Sequence, residues 1–397
     1  MNLMHWLLCL LGSFIWATTA NVPQSTKHAD DWDLDKPING LTFQRIKAVV
    51  EPTRDVPTKY FSRLRATKGD AVGDASTQYA IQCSWDDTPI WLLFDTGSSD
   101  TWAAKSDFEC SDGTGLTHGQ SACGFGHPYI PDFLHGEVPD LHFSLRYGSG
   151  EYISGPMGLS DISCGGVSVS KQQVGLANST YWHGNNVTVG ILGLAYPSIT
   201  SAYYGQIGHE APWNAVTYTP FLTKAISQGE MKPVFSVGLM KNGSDGANLI
   251  GQEETSWKYS FYTIVPDGMR WDMTTDETKY PYIIDTGTTM MYLPPPLAEA
   301  IAMAFQPRAV YLYQWDTYFA PCDTVPPRFA VVISGIEFWI NSADLVFRDL
   351  VDPLTGYCAI GIASGGSGPY ILGDVFLQNV LAVFDIGAAE MRFYARD

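Results

Sequence analysis

The sequence lacks the short motifs of several large enzyme classes. It contains no G-x-x-x-x-G-K phosphate loop, no H-E-x-x-H zinc motif and no G-x-S-x-G nucleophile elbow. No C-x-x-C pair occurs, and the eight histidines are scattered along the chain. We therefore expect neither a metal centre nor a cofactor.

Positive charge is scarce, because 23 Lys and Arg face 41 Asp and Glu and the net charge is −18. The basic residues are unevenly distributed. Residues 21–70 hold nine basic and seven acidic residues, and the excess of acidic residues lies in the chain from residue 71 onward. A strongly acidic body repels nucleic acid and anionic membranes. We expect no nucleic-acid partner, and this charge balance suits an acidic environment.

Long apolar runs are almost absent. The one run of note is "WLLCLLGSFIW", residues 6–16, and "ATTA" follows it with small residues suited to cleavage. This pattern predicts a signal peptide over 1–20, while a buried N-terminal helix is the competing interpretation. With no second long run, we expect no membrane association after signal removal, and secretion, with vacuolar delivery as the alternative.

Cysteine is present in a number that favours disulfides. Seven cysteines occur, and Cys9 would leave with the signal peptide. The six cysteines that remain are an even number, and in an exported chain this predicts three disulfides. The triplets that begin at Asn178, Asn186 and Asn242 are candidate N-glycosylation sites.

The length of 397 residues predicts two domains, and the residue pattern favours β structure. Short runs rich in Val, Ile, Thr, Tyr and Phe alternate with Gly, Pro, Asp and Ser. Predicted strands include "YAIQCSW", "IWLLFD", "LHFSLRYG", "VSVSKQQVGLA", "FSVGLM" and "LAVFDI". The best helix is "LPPPLAEAIAMAF", which has Pro at its start and is rich in Ala and Leu.

Two elements of the sequence repeat in the same order. Asp95-Thr96-Gly97 and Asp285-Thr286-Gly287 both follow apolar runs and are 190 residues apart. Downstream, "GILGLAY" (190–196) and "YILGDVF" (370–376) each place two aliphatic residues before a glycine, and those glycines are 180 residues apart. The common spacing indicates two copies of one β-rich lobe.

An acid at the end of an apolar strand is costly to ionise, so two such acids brought together would share one proton. Asp95 and Asp285 could then activate a water as base and acid. Gly97 and Gly287 would let main-chain amides approach each carboxylate. The hydroxyls of Ser98 and Thr288, three positions after each acid, could orient the carboxylates; the alternative is that each D-T-G is merely a turn.

From about Tyr79 to the end, the chain resembles the pepsin-like aspartic endopeptidases, with the features of a fungal secreted or vacuolar member. The matching segments, in order, are "FDTGSSDTW", "YGSG", "GILGLAYPSI", "IIDTGTT" and "YILGDVFLQNVLAVFD". The resemblance implies an all-β, bilobal pepsin-like fold of two pseudo-symmetric lobes with a few short helices. It also implies a long substrate cleft between the lobes, in which Asp95 and Asp285 are the catalytic pair.

The resemblance assigns further residues. Tyr147, with Gly148 and Ser149, matches the flap hairpin that closes over substrate, and its phenol would hydrogen-bond Trp102. Three disulfides follow from the family pattern and from the cysteines that remain: Cys110–Cys123, Cys322–Cys358 and Cys83–Cys164. Some fungal relatives carry Asp in place of Ser149 and accept Lys before the cleaved bond. We therefore expect a preference for large apolar or aromatic residues on both sides of the bond.

The expected organisation is a signal peptide (1–20), a propeptide (21–72), an N-terminal lobe (73–243) and a C-terminal lobe (244–397). Basic residues of the leader could sit against the acidic body at neutral pH, namely Lys59, Arg63, Arg65 and Lys68, next to Tyr60. We expect a monomer that acts on protein or peptide substrates. The alternative is a catalytically inert pepsin-fold protein that binds peptides or inhibits a partner.

Overall fold

The computed structural model describes residues 78–239, 261–388 and 390–395, together with the backbone of the short strands at 44–46 and 247–250. The predicted signal peptide lies outside the described residues. So does the predicted propeptide, except for the backbone of 44–46. The junction predicted at 243/244 and the candidate glycosylation site Asn242 are outside them too, and these predictions stay predictions.

β-Strands dominate the described residues. The strands of the first part of the chain are β1 (Gln44–Ile46), β2 (Ala80–Trp85), β3 (Thr88–Asp95), β4 (Trp102–Ser111), β5 (Thr117–His118), β6 (Glu137–Arg146), β7 (Tyr152–Cys164), β8 (Val167–Tyr181), β9 (Gly190–Gly193), β10 (Ala202–Tyr204), β11 (Ala215–Val216), β12 (Val234–Val237) and β13 (Ala247–Ile250). Those that follow are β14 (Thr263–Ile264), β15 (Gly268–Trp271), β16 (Thr274–Asp276), β17 (Tyr282–Ile284), β18 (Met291–Leu293), β19 (Val310–Leu312), β20 (Thr317–Pro321), β21 (Phe329–Ile333), β22 (Ile336–Ile340), β23 (Val346–Val351), β24 (Tyr357–Ile360), β25 (Ile362–Ser364), β26 (Tyr370–Leu372), β27 (Val380–Asp385) and β28 (Glu390–Ala395).

Helices are short. The described α-helices are α1 (Phe221–Ser227), α2 (Pro295–Ala304) and α3 (Asp374–Leu377), and 3-10 turns cover Gln120–Cys123, Pro197–Ile199 and Ser342–Leu345. The predicted helix is confirmed as α2, which begins with prolines in its first turn. Its Leu297, Ala298, Ile301 and Ala302 are buried, so one apolar face packs on the core. No helix of the described residues is long and apolar enough to cross a membrane.

The strands form two groups of sheets, and one further sheet combines strands from the beginning, the middle and the end of the described chain. A ten-stranded sheet contains β2 to β11, and three smaller sheets contain β14 to β26. The remaining sheet has the order β1-β13-β12-β27-β28. In it Phe235 of β12 lies opposite Phe384 of β27, and the two rings stack at 4.5 Å. The structure is therefore all-β with two groups of sheets, as expected from the sequence.

Both aspartate strands lie in the interior of their sheets. β3 pairs with β2 in the antiparallel sense and with β9 in the parallel sense, and its Leu92, Leu93 and Phe94 are buried. β17 pairs in the same way with β14 and β26. Burial on both faces explains why these strands read as continuous apolar runs, and the Asp and Thr of each following D-T-G turn are buried as well.

The three predicted disulfides are present: Cys83–Cys164, Cys110–Cys123 and Cys322–Cys358. Cys83 and Cys164 are opposite each other in the β2–β7 register, so that bond links neighbouring strands of the large sheet. The Cys110–Cys123 bond closes the loop after β4. Cys358 is buried and joins β24 to the loop that carries Cys322.

Candidate active site

Asp95 is the last residue of β3 and is buried. Its Oδ1 accepts a hydrogen bond from the Gly97 amide at 2.8 Å, and its Oδ2 accepts one from the Ser98 hydroxyl at 2.5 Å. The turn after the strand thus orients both carboxylate oxygens. This arrangement is the one predicted for Gly97 and Ser98.

Asp285 follows β17 and repeats this geometry. Its Oδ1 accepts from the Gly287 amide at 2.7 Å, and its Oδ2 accepts from the Thr288 hydroxyl at 2.5 Å. In both D-T-G turns the amide two residues on binds Oδ1 and the hydroxyl three residues on binds Oδ2. The sequence repeat therefore corresponds to a repeat of hydrogen bonds.

The carboxyl groups of Asp95 and Asp285 lie next to each other. A Cβ on Gly97 would lie 2.5 Å from Oδ1 of Asp285, and a Cβ on Gly287 would lie 2.5 Å from Oδ1 of Asp95. Each glycine therefore leaves space for the acid of the other turn. Burial, and secondly the negative charge of Asp95, raise the pKa of Asp285 to about 7, and the two side chains hydrogen-bond each other. One proton is consequently held by the pair over the acid range.

The threonines of the two D-T-G turns lock the turns together, a role that the sequence analysis did not assign. The Thr96 hydroxyl accepts from the Thr286 amide at 3.1 Å and donates to the Ile284 carbonyl at 2.9 Å. The Thr286 hydroxyl accepts from the Thr96 amide at 3.0 Å and donates to the Phe94 carbonyl at 2.8 Å. Both threonines are fully buried. The symmetric position of Thr in the two motifs was the available signal.

The two repeated hydrophobic-hydrophobic-glycine elements support these turns from behind. Gly193 lies opposite Asp95 in the parallel β3–β9 register, and a Cβ there would come within 2.5 Å of the Ser99 backbone. A Cβ on Gly373 would come within 2.1 Å of the Thr288 carbonyl oxygen. Only glycine allows these close approaches, which explains the second repeat of the sequence.

The predicted flap is the hairpin between β6 and β7. Its half-buried Tyr147 accepts a hydrogen bond through its phenol oxygen from Trp102 Nε1 at 2.8 Å. The Tyr147 ring also meets the ring of Trp182 edge-on at 5.4 Å, and Trp182 in turn contacts Trp102. Gly148 is exposed at the turn, and Ser149 lies beside it, half-buried. The flap therefore closes over an aromatic wall.

Three further acids near these elements were missed by the sequence analysis. Asp100 and Asp374 are buried, and Glu151 is buried at the base of the flap. Burial raises the pKa of Asp100 to about 6. Burial, with the charges of Asp285 and Asp95, raises the pKa of Asp374 well above its ordinary value. Nothing in the local sequence separates these acids from exposed ones.

Two of the candidate glycosylation sites lie in the described part of the chain. Asn178 is half-buried on β8, and Asn186 is exposed with a left-handed φ of 59°. In the described part of the chain no cluster of three or more His, Cys, Asp or Glu side chains could hold a metal ion.

Comparisons with known proteins agree on one family. The family model described as eukaryotic aspartyl protease matches residues 81–395. A probable aspartic-type endopeptidase of Aspergillus fumigatus is 33% identical over 77% of this chain and 75% of its own length. Rhizopuspepsin of Rhizopus chinensis is 30% identical over 76% of this chain and 73% of its own length.

A solved structure supports the fold. The crystal structure of the aspartic proteinase from Irpex lacteus matches with a TM-score of 0.59 and 18% identity. The match covers 81% of this chain and 95% of that one.

Proposed function

The chain belongs to the eukaryotic aspartyl protease family, and from that premise we propose that it is an endopeptidase that cleaves peptide bonds at acid pH through a water held between Asp95 and Asp285. The observation that carries the proposal is the matched pair of carboxyl groups, each hydrogen-bonded by its own turn and in contact with the other. One chain supplies both acids, so a monomer contains a full catalytic pair.

The mechanism follows from the unequal affinity of the pair for its proton. Asp285 holds the proton, which leaves the Asp95 carboxylate as the base. The base takes a proton from the water as its oxygen attacks the carbonyl carbon of the substrate, and the Asp285 proton passes to the carbonyl oxygen. When the tetrahedral diol collapses, the Asp285 carboxylate takes a proton from a diol hydroxyl and the proton held by Asp95 passes to the leaving nitrogen, so the C–N bond breaks and the pair returns to its starting state. No covalent enzyme intermediate is formed.

Substrate preference is proposed from the flap and its wall. Ser149 presents a neutral side chain at the flap turn, and Tyr147 of the flap rests on a wall formed by the aromatic rings of Trp102, Trp182 and Phe125. Such a surface favours large apolar or aromatic residues on both sides of the scissile bond. Comparable cleavage after Lys in a peptide-library digest would contradict this preference.

The test is hydrolysis of haemoglobin at acid pH by the acid-treated full chain, with and without pepstatin. We expect pepstatin-sensitive cleavage, and a loss of about 10²–10⁴-fold in kcat for Asp285→Asn, since that change removes the proton donor. Asp323→Asn is the matched control, because Asp323 is exposed and distant in sequence from either turn. Peptide binding without cleavage by the unaltered chain would instead favour the inert binding protein.

We further propose that residues 1–20 direct export and that residues 21–72 form a propeptide released by acid. The basic residues of the leader would lose their carboxylate partners on the body when those carboxylates take up protons. N-terminal sequencing of the secreted chain before and after incubation near pH ~3.5, around the reference pKa of carboxylates, tests both steps. A chain that keeps its full length and stays inactive would contradict self-activation.

A further inference from the structure

Glu151 occupies an unusual place for an acid, fully buried at the base of the flap. It closes the flap turn through its backbone, because its carbonyl accepts from the Tyr147 amide at 2.9 Å. Its side chain turns back toward the tip. Its Oε2 accepts from the Ser149 hydroxyl at 2.8 Å.

The other oxygen of the same carboxylate reaches across to the wall of the cleft. Glu151 Oε1 accepts from the His183 amide at 2.8 Å and lies 3.5 Å from His183 Nδ1. His183 immediately follows Trp182, whose ring packs on Tyr147. One buried carboxylate therefore ties the flap tip to the segment against which the flap rests.

This geometry decides which way the Ser149 hydroxyl points. A hydroxyl has one proton to donate, and that of Ser149 is given to Glu151. Toward any further partner the Ser149 oxygen can then act only as an acceptor; it lies 3.5 Å from the Glu151 amide nitrogen, which leaves one lone pair for a group in the cleft. We propose that Glu151 is a positioning residue that fixes the flap on the 182–184 wall and presents Ser149 as an acceptor for an N–H of the bound peptide; this rests on the endopeptidase function proposed above.

Replacing Glu151 with glutamine separates this role from simple packing. Glutamine has the same shape but only one acceptor oxygen, so it cannot accept from both Ser149 and His183. If its amide nitrogen faces Ser149, the serine must accept and its proton turns toward the cleft. If it faces His183, two donors oppose each other and the wall contact is lost.

The kinetic test compares Glu151→Gln, Ser149→Ala and the double variant with the unaltered chain, on a peptide with large apolar residues around the cleaved bond. We expect KM to rise about three- to tenfold in each variant, the range for one lost hydrogen bond, with kcat changed by less than about twofold. Because both changes remove the same hydrogen bond, the KM of the double variant should not exceed the higher KM of the two single variants. Glu137→Gln, at an exposed position on β6, is the matched control and should leave KM unchanged.

Amide hydrogen exchange provides a readout that does not depend on activity. In the Asp95→Asn background, which prevents self-digestion, Glu151→Gln should raise deuterium uptake in peptides covering 147–151 and 182–184 and nowhere else. If neither the unaltered chain nor any variant cleaves the peptide, the proposed endopeptidase function fails. Amide hydrogen exchange still tests whether Glu151 fixes the flap on residues 182–184. Glu151→Gln with the KM and uptake of the Glu137→Gln control, or with a fall in kcat alone, would overturn it.

Discussion

The buried acid Asp100 should make the folded protein measurably less stable at neutral pH than at acid pH. The residue is 2% exposed and lies between the Asp95 turn and the flap partner Trp102. Its Oδ1 accepts from the Ser201 amide at 3.0 Å and from the Tyr218 hydroxyl at 2.8 Å. These bonds favour the charged form, but burial outweighs them and raises the pKa from 3.8 to about 6.

The sign and size follow from linkage. The pKa is higher in the folded state than in the unfolded chain, so the stabilising contribution is complete below about 3.8 and is lost as pH rises through about 6. A difference of about two pKa units corresponds to about 3 kcal/mol, at 1.36 kcal/mol per unit. Asp100→Asn keeps an acceptor for Ser201 and Tyr218 and has no charged form. The variant should match the parent near pH 4 and exceed its stability by up to about 3 kcal/mol near pH 7.

The assay is urea unfolding followed by tryptophan fluorescence between pH 4 and 7, in the Asp95→Asn background to prevent self-digestion. Midpoints and slopes are compared at each pH, since a changed slope would show that the unfolding unit had changed. Asp323→Asn, an exposed substitution, controls for the loss of one negative charge. A constant offset between Asp100→Asn and its parent across this range would refute the reasoning.

Three other substitutions test the site. Thr96→Val leaves the buried Thr286 amide and an opposing carbonyl without their partner, so unfolding free energy should fall by about 2–5 kcal/mol in urea titrations. Thr275→Val, at an exposed position on β16, should change it little. Gly97→Ala places a methyl 2.5 Å from the Asp285 carboxyl, so kcat should fall at least about tenfold while the circular dichroism spectrum is retained; retained kcat contradicts this. Asp374 has a raised pKa and no hydrogen-bond partner for its oxygens among the described residues. Asp374→Asn should keep kcat within about twofold at acid pH and raise the melting temperature at neutral pH, because the unfolded chain ionises this acid there more readily than the folded state does. An equal melting temperature at neutral pH would contradict the raised pKa.

Local patterns predicted what depends on neighbours in sequence. The apolar run before Asp95 predicted β3, and the prolines at 294–296 predicted the start of α2. The repeat of D-T-G predicted a pair of acids, because two symmetric lobes bring equivalent turns together. The β-rich character, the two copies of one lobe and the likeness of the two turns could therefore be obtained from local patterns and spacing, whereas the bilobal pepsin-like fold was implied by the resemblance.

Contacts between distant segments could not be obtained in that way. β12 pairs with β27 across about a third of the chain, and no local pattern marks these strands as neighbours. Asp374 follows Gly373 in a strand-end motif, but its burial arises from elements that fold over it. Nothing in the local sequence distinguishes Glu151, which is fully buried, from an exposed acid. Burial, which sets the behaviour of these acids, is a tertiary property and leaves no local signature.

The interlocked threonines bear on how the site is assembled. Each threonine donates to a carbonyl of the opposite strand segment and accepts from the opposite threonine amide. The carboxyl groups of Asp95 and Asp285 can share a proton only while these four bonds hold the turns in register. Separation of the turns by a few ångströms would admit water to both acids, which removes the burial that chiefly raises the pKa of Asp285, and would weaken the repulsion from Asp95. Catalytic competence and contact between the two turns should therefore be lost together.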